Sequence, residues 1–160
     1  MNQPVRGKRN KPRNNIRKKG SVPKNRKGKK IGTSKLEIEF ASQFLDKLNV
    51  DYVWQFEAKS IGRFYDYAIP EQHLLIEVDG GYYHSDPRIV NEKQMNPMQK
   101  HNKRVDKIKD EWAALNGFVL LRIWEHDIKN NPAKVMDRLK KYISVADKKK
   151  KILQERKKPH

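Results

Sequence analysis

The sequence predicts one mixed α/β domain, with a central sheet of about four strands flanked by helices and a basic extension at each end. Two observations carry this prediction. Helical and strand-like hydrophobic periodicities alternate between residues 34 and 146, and the positive charge is concentrated outside that region. A chain of 160 residues with 36% hydrophobic content can bury one modest core, so a single domain is expected.

The first predicted helix begins at Ser34, a residue type that favours the N-cap position. It runs for about 15 residues, because apolar side chains recur at helical spacing. These are Leu36, Phe40, Ala41, Phe44, Leu45 and Leu48. Tyr52, Trp54 and Phe56 then alternate with polar residues, which predicts a first strand followed by a turn through Gly62.

Residues 64–69 and 74–79 are predicted as the second and third strands, and the four-residue link between them favours a hairpin. Gly80 and Gly81 end the third strand, and a loop of about 15 residues leads to Pro97, which opens a long helix.

The long helix is predicted to bury one apolar seam and to stop at Gly117. The seam consists of Val105, Ile108, Trp112 and Leu115. Residues 118–124 are apolar except for Arg122, which is typical of a strand buried on both faces. Asn131 and Pro132 cap a last helix. Its inward residues are Val135, Leu139, Tyr142 and Ile143.

The charge pattern divides the chain into a basic disordered arm (1–33), a folded domain (34–146) and a basic tail (147–160). Residues 1–35 contain 14 Lys or Arg and no acid, so little of the net charge of +18 belongs to the body. Neither extension has enough apolar residues to fold alone, and both are expected to remain coil. Basic arms on a neutral body suit a polyanion, and DNA is the expected partner; a merely solubilising tail is the alternative. The arm residues expected to contact DNA are Lys18, Lys19, Arg26, Lys27, Lys29 and Lys30.

Carboxylates stand where the second and third strands should bury hydrocarbon. Alternation along a strand places Glu77 and Asp79 on one face, and Asp66 lies in the neighbouring strand. Two carboxylates two positions apart repel by about 2–3 kcal/mol at an effective dielectric near 20. A cation is therefore expected here, either a divalent metal or a basic side chain such as Arg63 or Lys59.

Taken together, these motifs resemble the PD-(D/E)xK nuclease superfamily, and within it the branch of the very short patch repair endonuclease and the EDxHD homing endonucleases. The resemblance covers about residues 34–127. It rests on TSKLE at 33–37, Asp66, IEVDGGYYH at 76–84, Asn102 and Asp106 in the long helix, and Trp124-Glu125. It implies a restriction-endonuclease-like fold.

The resemblance also implies a metal-dependent phosphodiesterase. Asp66, Glu77 and the carbonyl of Val78 would bind Mg²⁺ or Mn²⁺, since hard oxygen ligands suit these ions. Glu37 is either a further acidic ligand or a solvated helix residue.

Asp79 departs from the usual superfamily pattern, because it stands where a lysine normally orients the attacking water. In the branch that the chain resembles a histidine takes this role, which makes His84 the expected general base. A carboxylate would fix its tautomer, and either Asp106 or Asp110 is placed to do so. His101 is a rival base with weaker support.

Tyr82 and Tyr83 correspond in the resemblance to aromatic residues that wedge into the DNA stack; packing in the core is the alternative interpretation. The structural zinc site of the repair enzyme is not expected, because the chain has no cysteine.

The expected function is a metal-dependent DNA endonuclease of homing or phage type, which would act as a homodimer if it cut both strands symmetrically. A branched-DNA resolvase of the same fold and a noncatalytic DNA- or RNA-binding protein are the alternatives. No stretch approaches 18 apolar residues and there is no apolar signal segment, so no membrane association is expected. We expect a cytoplasmic protein of bacterial or phage type.

Overall fold

The computed structural model describes residues 16–17, 34–48 and 50–155. The strands are β1 (Ile16–Arg17), β2 (Tyr52–Ala58), β3 (Arg63–Ile69), β4 (Leu74–Asp79) and β5 (Val119–Trp124), and the helices are α1 (Lys35–Gln43), α2 (Pro97–Leu115), α3 (Glu125–Asn130) and α4 (Pro132–Glu155). The protein is thus α/β, with a mixed sheet flanked by helices, as predicted. No helix within the described ranges has the length and apolar character needed to cross a membrane.

The sheet has the order β1-β2-β3-β4-β5. β2, β3 and β4 form an antiparallel meander, whereas β5 pairs parallel to β4 after the crossover through α2. The parallel register aligns Glu77 with Arg122 and Asp79 with Trp124. Consequently the carboxylates of β4 and the charged residue of β5 lie side by side on the sheet.

β1 is a two-residue strand inside the segment predicted as coil. Ile16 pairs with Val53 and Arg17 with Tyr52, both antiparallel. An edge strand such as β2 offers open backbone groups to any extended segment, which explains this pairing. The remainder of the predicted arm lies outside the described residues.

The first helix begins as the sequence predicts. The backbone N–H of Glu37 donates to Ser34 Oγ at 3.2 Å, and the N–H of Ser34 donates to Glu37 Oε1 at 3.1 Å, which forms a capping box. α1 is shorter than expected, because the chain tightens after Gln43 into a 3₁₀ turn at Leu45–Lys47.

Two apolar clusters lie on opposite faces of the sheet. The larger combines α1 and α4 with alternate residues of the sheet, including Phe40, Leu139 and Ile76. The smaller contains Leu75 of the sheet and Ala113 of α2. Leu74, Ile76 and Val78 share the first cluster, which confirms the predicted alternation along β4.

The predicted seam of α2 is wrong at two of its four positions, since Trp112 packs against the smaller cluster and Val105 is half-buried. Ile108 is 42% exposed and Leu115 is 86% exposed, whereas the buried positions are Gln99, Lys109 and Ala113. The inner face of α2 covers the part of the sheet that carries Glu77, Asp79 and Arg122. Buried charged groups require polar partners, so this face is partly polar.

The C-terminal region differs from the prediction in four respects. Leu121 and Ile123 of β5 are buried, whereas Leu120, Arg122 and Trp124 on the other face are half-buried, so this strand is fully covered on one face only. α3, which the sequence did not reveal, follows it directly. Tyr142 is 39% exposed and does not face inward. α4 continues to Glu155 because no Gly or Pro interrupts residues 133–155, whereas coil was predicted from residue 147.

Candidate active site

The β3–β4 ladder stops where the first two carboxylates meet. Its last backbone pair is Tyr67 with Ile76. Beyond this pair, the N–H of Asp66 donates to Glu77 Oε1 at 3.3 Å and the N–H of Val78 donates to Asp66 Oδ2 at 2.8 Å. Side-chain oxygens thus replace the backbone acceptors, which places both carboxylates between the two strands.

A local irregularity in β2 lies opposite Asp66. Gln55 has a φ of 50°, and the register pairs Trp54 with Tyr67 and Phe56 with Tyr65 while omitting the position between them. Its side chain approaches Glu37, with Gln55 Nε2 3.4 Å from Glu37 Oε2. Glu37, whose other oxygen completes the capping box, is thereby linked to the region of Asp66.

The acidic pair is held in an unfavourable environment for charge. Burial, followed by the charges of Glu77 and Glu37, raises the pKa of Asp66 well above its ordinary value. Burial also raises the pKa of Glu77, which Lys109 opposes and Asp79 reinforces. The site therefore has a deficit of positive charge, which a divalent cation would relieve.

Lys109 contacts Glu77 of this pair, and sequence reasoning missed it. Its Nζ lies 2.5 Å from Glu77 Oε2, over the ring of Tyr65 at 4.9 Å from the ring centroid. The predicted alternatives, Arg63 and Lys59, are both exposed. Lys109 lies three positions after Asp106 on α2, so the shared face was the available signal.

His84 lies between two carboxylates. Its Nδ1 is 3.1 Å from Asp106 Oδ2 and 3.5 Å from Asp79 Oδ1. The hydrogen bond with Asp106 raises the pKa of His84, burial opposes that effect, and the charges of both carboxylates add to it. A proton held on Nδ1 by these acceptors leaves Nε2 as the nitrogen able to accept another.

The structure decides between the two predicted partners of His84. Burial opposes ionisation of Asp106, but the bond from His84 and the charge of Arg122 outweigh it and lower the pKa of Asp106. Asp110 binds Arg122 instead, with Arg122 Nη2 3.0 Å from its Oδ1. The rival base His101 is exposed on α2.

Arg122 gives Asp79 a role that the sequence did not reveal. Asp79 is completely buried, and its Oδ2 accepts a hydrogen bond from Arg122 Nη1 at 2.9 Å. The same Nη1 lies 3.4 Å from Asp106 Oδ1. Arg122 thus orients both carboxylates that flank His84. Its signal in the sequence was the single charge within an apolar strand.

The loop between β4 and α2 presents two tyrosines to solvent. Tyr82 and Tyr83 are each 58% exposed and contact each other edge to face, with centroids 5.5 Å apart. Gln99 Nε2 donates to the carbonyl of Tyr82, and Asn102 Nδ2 to that of Tyr83. The interpretation of these tyrosines as core residues is therefore wrong, whereas their contact with DNA stays a prediction.

Asp66 and Glu77 are the side chains that would bind the Mg²⁺ or Mn²⁺ ion implied by the resemblance. Within residues 16–17, 34–48 and 50–155, no group of three or more Asp, Glu, His or Cys is placed to hold a metal. Mg²⁺ is, however, commonly bound by one or two carboxylates together with water and substrate phosphate oxygens. Asp66 and Glu77 are hard donors whose charge is under-compensated, so they fit such an open site, although not a closed protein cage.

No family model matches the chain, and no curated protein matches it. The superfamily resemblance therefore remains a prediction. The predicted DNA contacts of Lys18, Lys19, Arg26, Lys27, Lys29 and Lys30 fall outside the described residues. What the structure brings together is the pair Asp66 and Glu77 with Lys109, and the group His84, Asp79 and Asp106 with Arg122.

Proposed function

We propose that the protein is a metal-dependent DNA endonuclease of the PD-(D/E)xK type that hydrolyses phosphodiester bonds. The observation that carries this proposal is a histidine–carboxylate dyad, His84 with Asp106, that meets Asp79 at the end of the strand that carries Glu77. Glu77 of the acidic pair and Asp79, which contacts His84, are two positions apart on the same face of β4.

Each protein group has a part in hydrolysis. Nε2 of His84 accepts a proton from the attacking water, while Asp106 holds the proton on Nδ1 and stabilises the imidazolium that forms. Asp66, Glu77 and the carbonyl of Val78 would hold a Mg²⁺ ion, which would supply polarisation of the phosphoryl oxygen and stabilisation of the leaving alkoxide. Lys109 contacts Glu77 and limits the negative charge there until a metal ion binds.

DNA as the substrate is supported by charge and by the exposed aromatic pair. The residues outside the neutral body supply cations for phosphates, which position a protein without selecting a sequence. Tyr82 and Tyr83 project from the loop that carries His84, where they can insert beside the cleaved bond.

Nicking of supercoiled plasmid tests the proposal. Wild type, Asp66→Asn, His84→Ala and His101→Ala are compared with Mg²⁺ and with EDTA, the last variant being a matched control on an exposed histidine. Wild type and His101→Ala should nick the plasmid only with Mg²⁺, and the other two should lose at least 100-fold in rate. Nicking that survives EDTA, or folded wild-type protein that never nicks, would contradict the proposal.

The substrate class is assigned in the same assay. A four-way junction and a linear duplex of equal length are offered at identical salt and Mg²⁺ concentrations. Comparable or faster cleavage of the duplex supports the endonuclease, whereas cleavage of the junction alone would assign a resolvase.

A further inference from the structure

A cavity of about 720 Å³ lies beside His84 and Asp106, between the loop after β4, the middle of α2 and the end of β5. His84 and Asp106 form one side. Ile89, Met95 and Trp124 provide an apolar wall. None of the residues in this wall has a part in the proposed hydrolysis, so the wall calls for a separate explanation.

The charges around the cavity are compensated by protein groups. Arg88 binds the buried Asp86 at 2.6 Å and Asp127 at 2.8 Å. Lys103 is paired with Glu92, and Arg122 with the carboxylates that flank His84. Each Arg and Lys of the lining therefore already has a carboxylate partner. This favours a neutral occupant over a phosphate group.

The lining also contains an unsatisfied hydrogen-bonding group. Ser85 is only 7% exposed, and its Oγ has no hydrogen-bond partner among the described residues. Its φ of 58° lies in the left-handed region, which is costly for serine. Buried hydroxyls are normally satisfied, and this Oγ is closed to solvent, so the side chain must rotate toward the cavity before an occupant can form a hydrogen bond with it.

We propose that the cavity receives one nucleobase that leaves the DNA stack next to the cleaved bond. A base is neutral, planar and edged with hydrogen-bonding groups, so it can lie against Trp124 and bond to the Ser85 hydroxyl once that side chain rotates toward the cavity. Tyr82 and Tyr83, on the other side of His84 in the sequence, would fill the space that the base vacates. The inference rests on the proposed function, because it assumes a DNA substrate.

Filling the cavity gives the first test. Met95→Trp places a larger side chain in the wall, and Met98→Trp is the matched control on an exposed residue of α2 outside the cavity. The preferred nick of wild type is mapped, and duplexes with a single abasic nucleotide at each position near it are cleaved by all three proteins. Thermal melting shows whether each variant is folded.

Met95→Trp should cleave intact duplex at least tenfold more slowly than wild type, and an abasic nucleotide at one position should restore its rate to within about threefold. Met98→Trp should cleave intact duplex normally. Equal cleavage of intact duplex by Met95→Trp, or rescue at no position, would overturn the inference. Failure of wild type to nick would instead reject the proposed function.

Photochemical crosslinking tests the same inference without any variant. A 5-iodouracil base is placed in turn at each position near the nick, and the wild-type complex is irradiated without divalent metal. Crosslinks from one position to Trp124 or Met95 are expected. Crosslinks confined to Tyr82 and Tyr83, or no crosslink to any of these four residues, would overturn the inference that the cavity receives a base.

Discussion

Arg122 donates a 2.9 Å hydrogen bond to Asp79, a carboxylate that is completely buried. The two residues come from neighbouring parallel strands, and the guanidinium extends from this pair to Asp106. Removing only one partner of a buried ion pair leaves the other charge uncompensated, and this typically costs about 3–5 kcal/mol.

Arg122→Met should accordingly lower the free energy of unfolding by about 3–5 kcal/mol. Adding Asp79→Asn should recover part of that decrease, since the uncompensated charge is then removed. Urea denaturation measures both. Arg138→Met is the control, because Arg138 donates a long hydrogen bond of 3.4 Å to the carbonyl of Arg122 and forms no ion pair within the described residues. A decrease below about 1 kcal/mol in Arg122→Met would show that the pair is not structurally important.

Cleavage should be lost as the pH falls, because a general base must be unprotonated. Asp106 raises the pKa of His84, so the acid limb of kcat/KM should lie above the ordinary histidine value of about 6.5. Asp106→Asn removes that bond and charge, and the limb should move to lower pH while the rate decreases. The matched control, Asp110→Asn, should leave the limb in place. An unchanged limb in Asp106→Asn would exclude His84 as the titrating base.

Lys109 should compete with a metal ion for Glu77, since its Nζ contacts Oε2 of this carboxylate. Lys109→Met should strengthen Mg²⁺ binding by about tenfold, equivalent to about 1.4 kcal/mol. The stabilisation of the folded protein by added Mg²⁺, followed by thermal melting, reports this affinity. Lys107→Met, which changes an exposed lysine of the same helix, is the control. Weaker Mg²⁺ binding in Lys109→Met would assign Lys109 a supporting role at the metal.

The N-terminal arm should contribute affinity by neutralising DNA phosphates. Replacing Lys18, Lys19, Arg26, Lys27, Lys29 and Lys30 by Gln leaves Ile16 and Arg17 unchanged. The slope of log binding constant against log salt should flatten by about 0.9 for each phosphate that the variant no longer neutralises. Fluorescence anisotropy with a labelled duplex at several salt concentrations measures it. An unchanged slope would remove these residues from the DNA interface.

The contrast between β4 and α2 shows which features could be predicted from local sequence patterns and which could not. β4 lies at the predicted residues, because alternation of apolar and acidic side chains is a local pattern. The pairing of His84 with Asp106 was also anticipated, through the resemblance. The inner face of α2 was predicted only in part. Trp112 packs against the smaller cluster, but Ile108 and Leu115 are exposed, because much of the surface that the helix covers is charged.

The sequence by itself determined the α/β class, the hairpin of β3 and β4, the positions of Asp66 and Glu77 in these strands and that of His84 in the loop that follows. Only the tertiary structure decided which cations meet these acids. Lys109 and Arg122 follow Glu77 and Asp79 by 32 and 43 residues. The α2 crossover brings them together, because it places β5 parallel to β4 and packs the polar face of α2 over both.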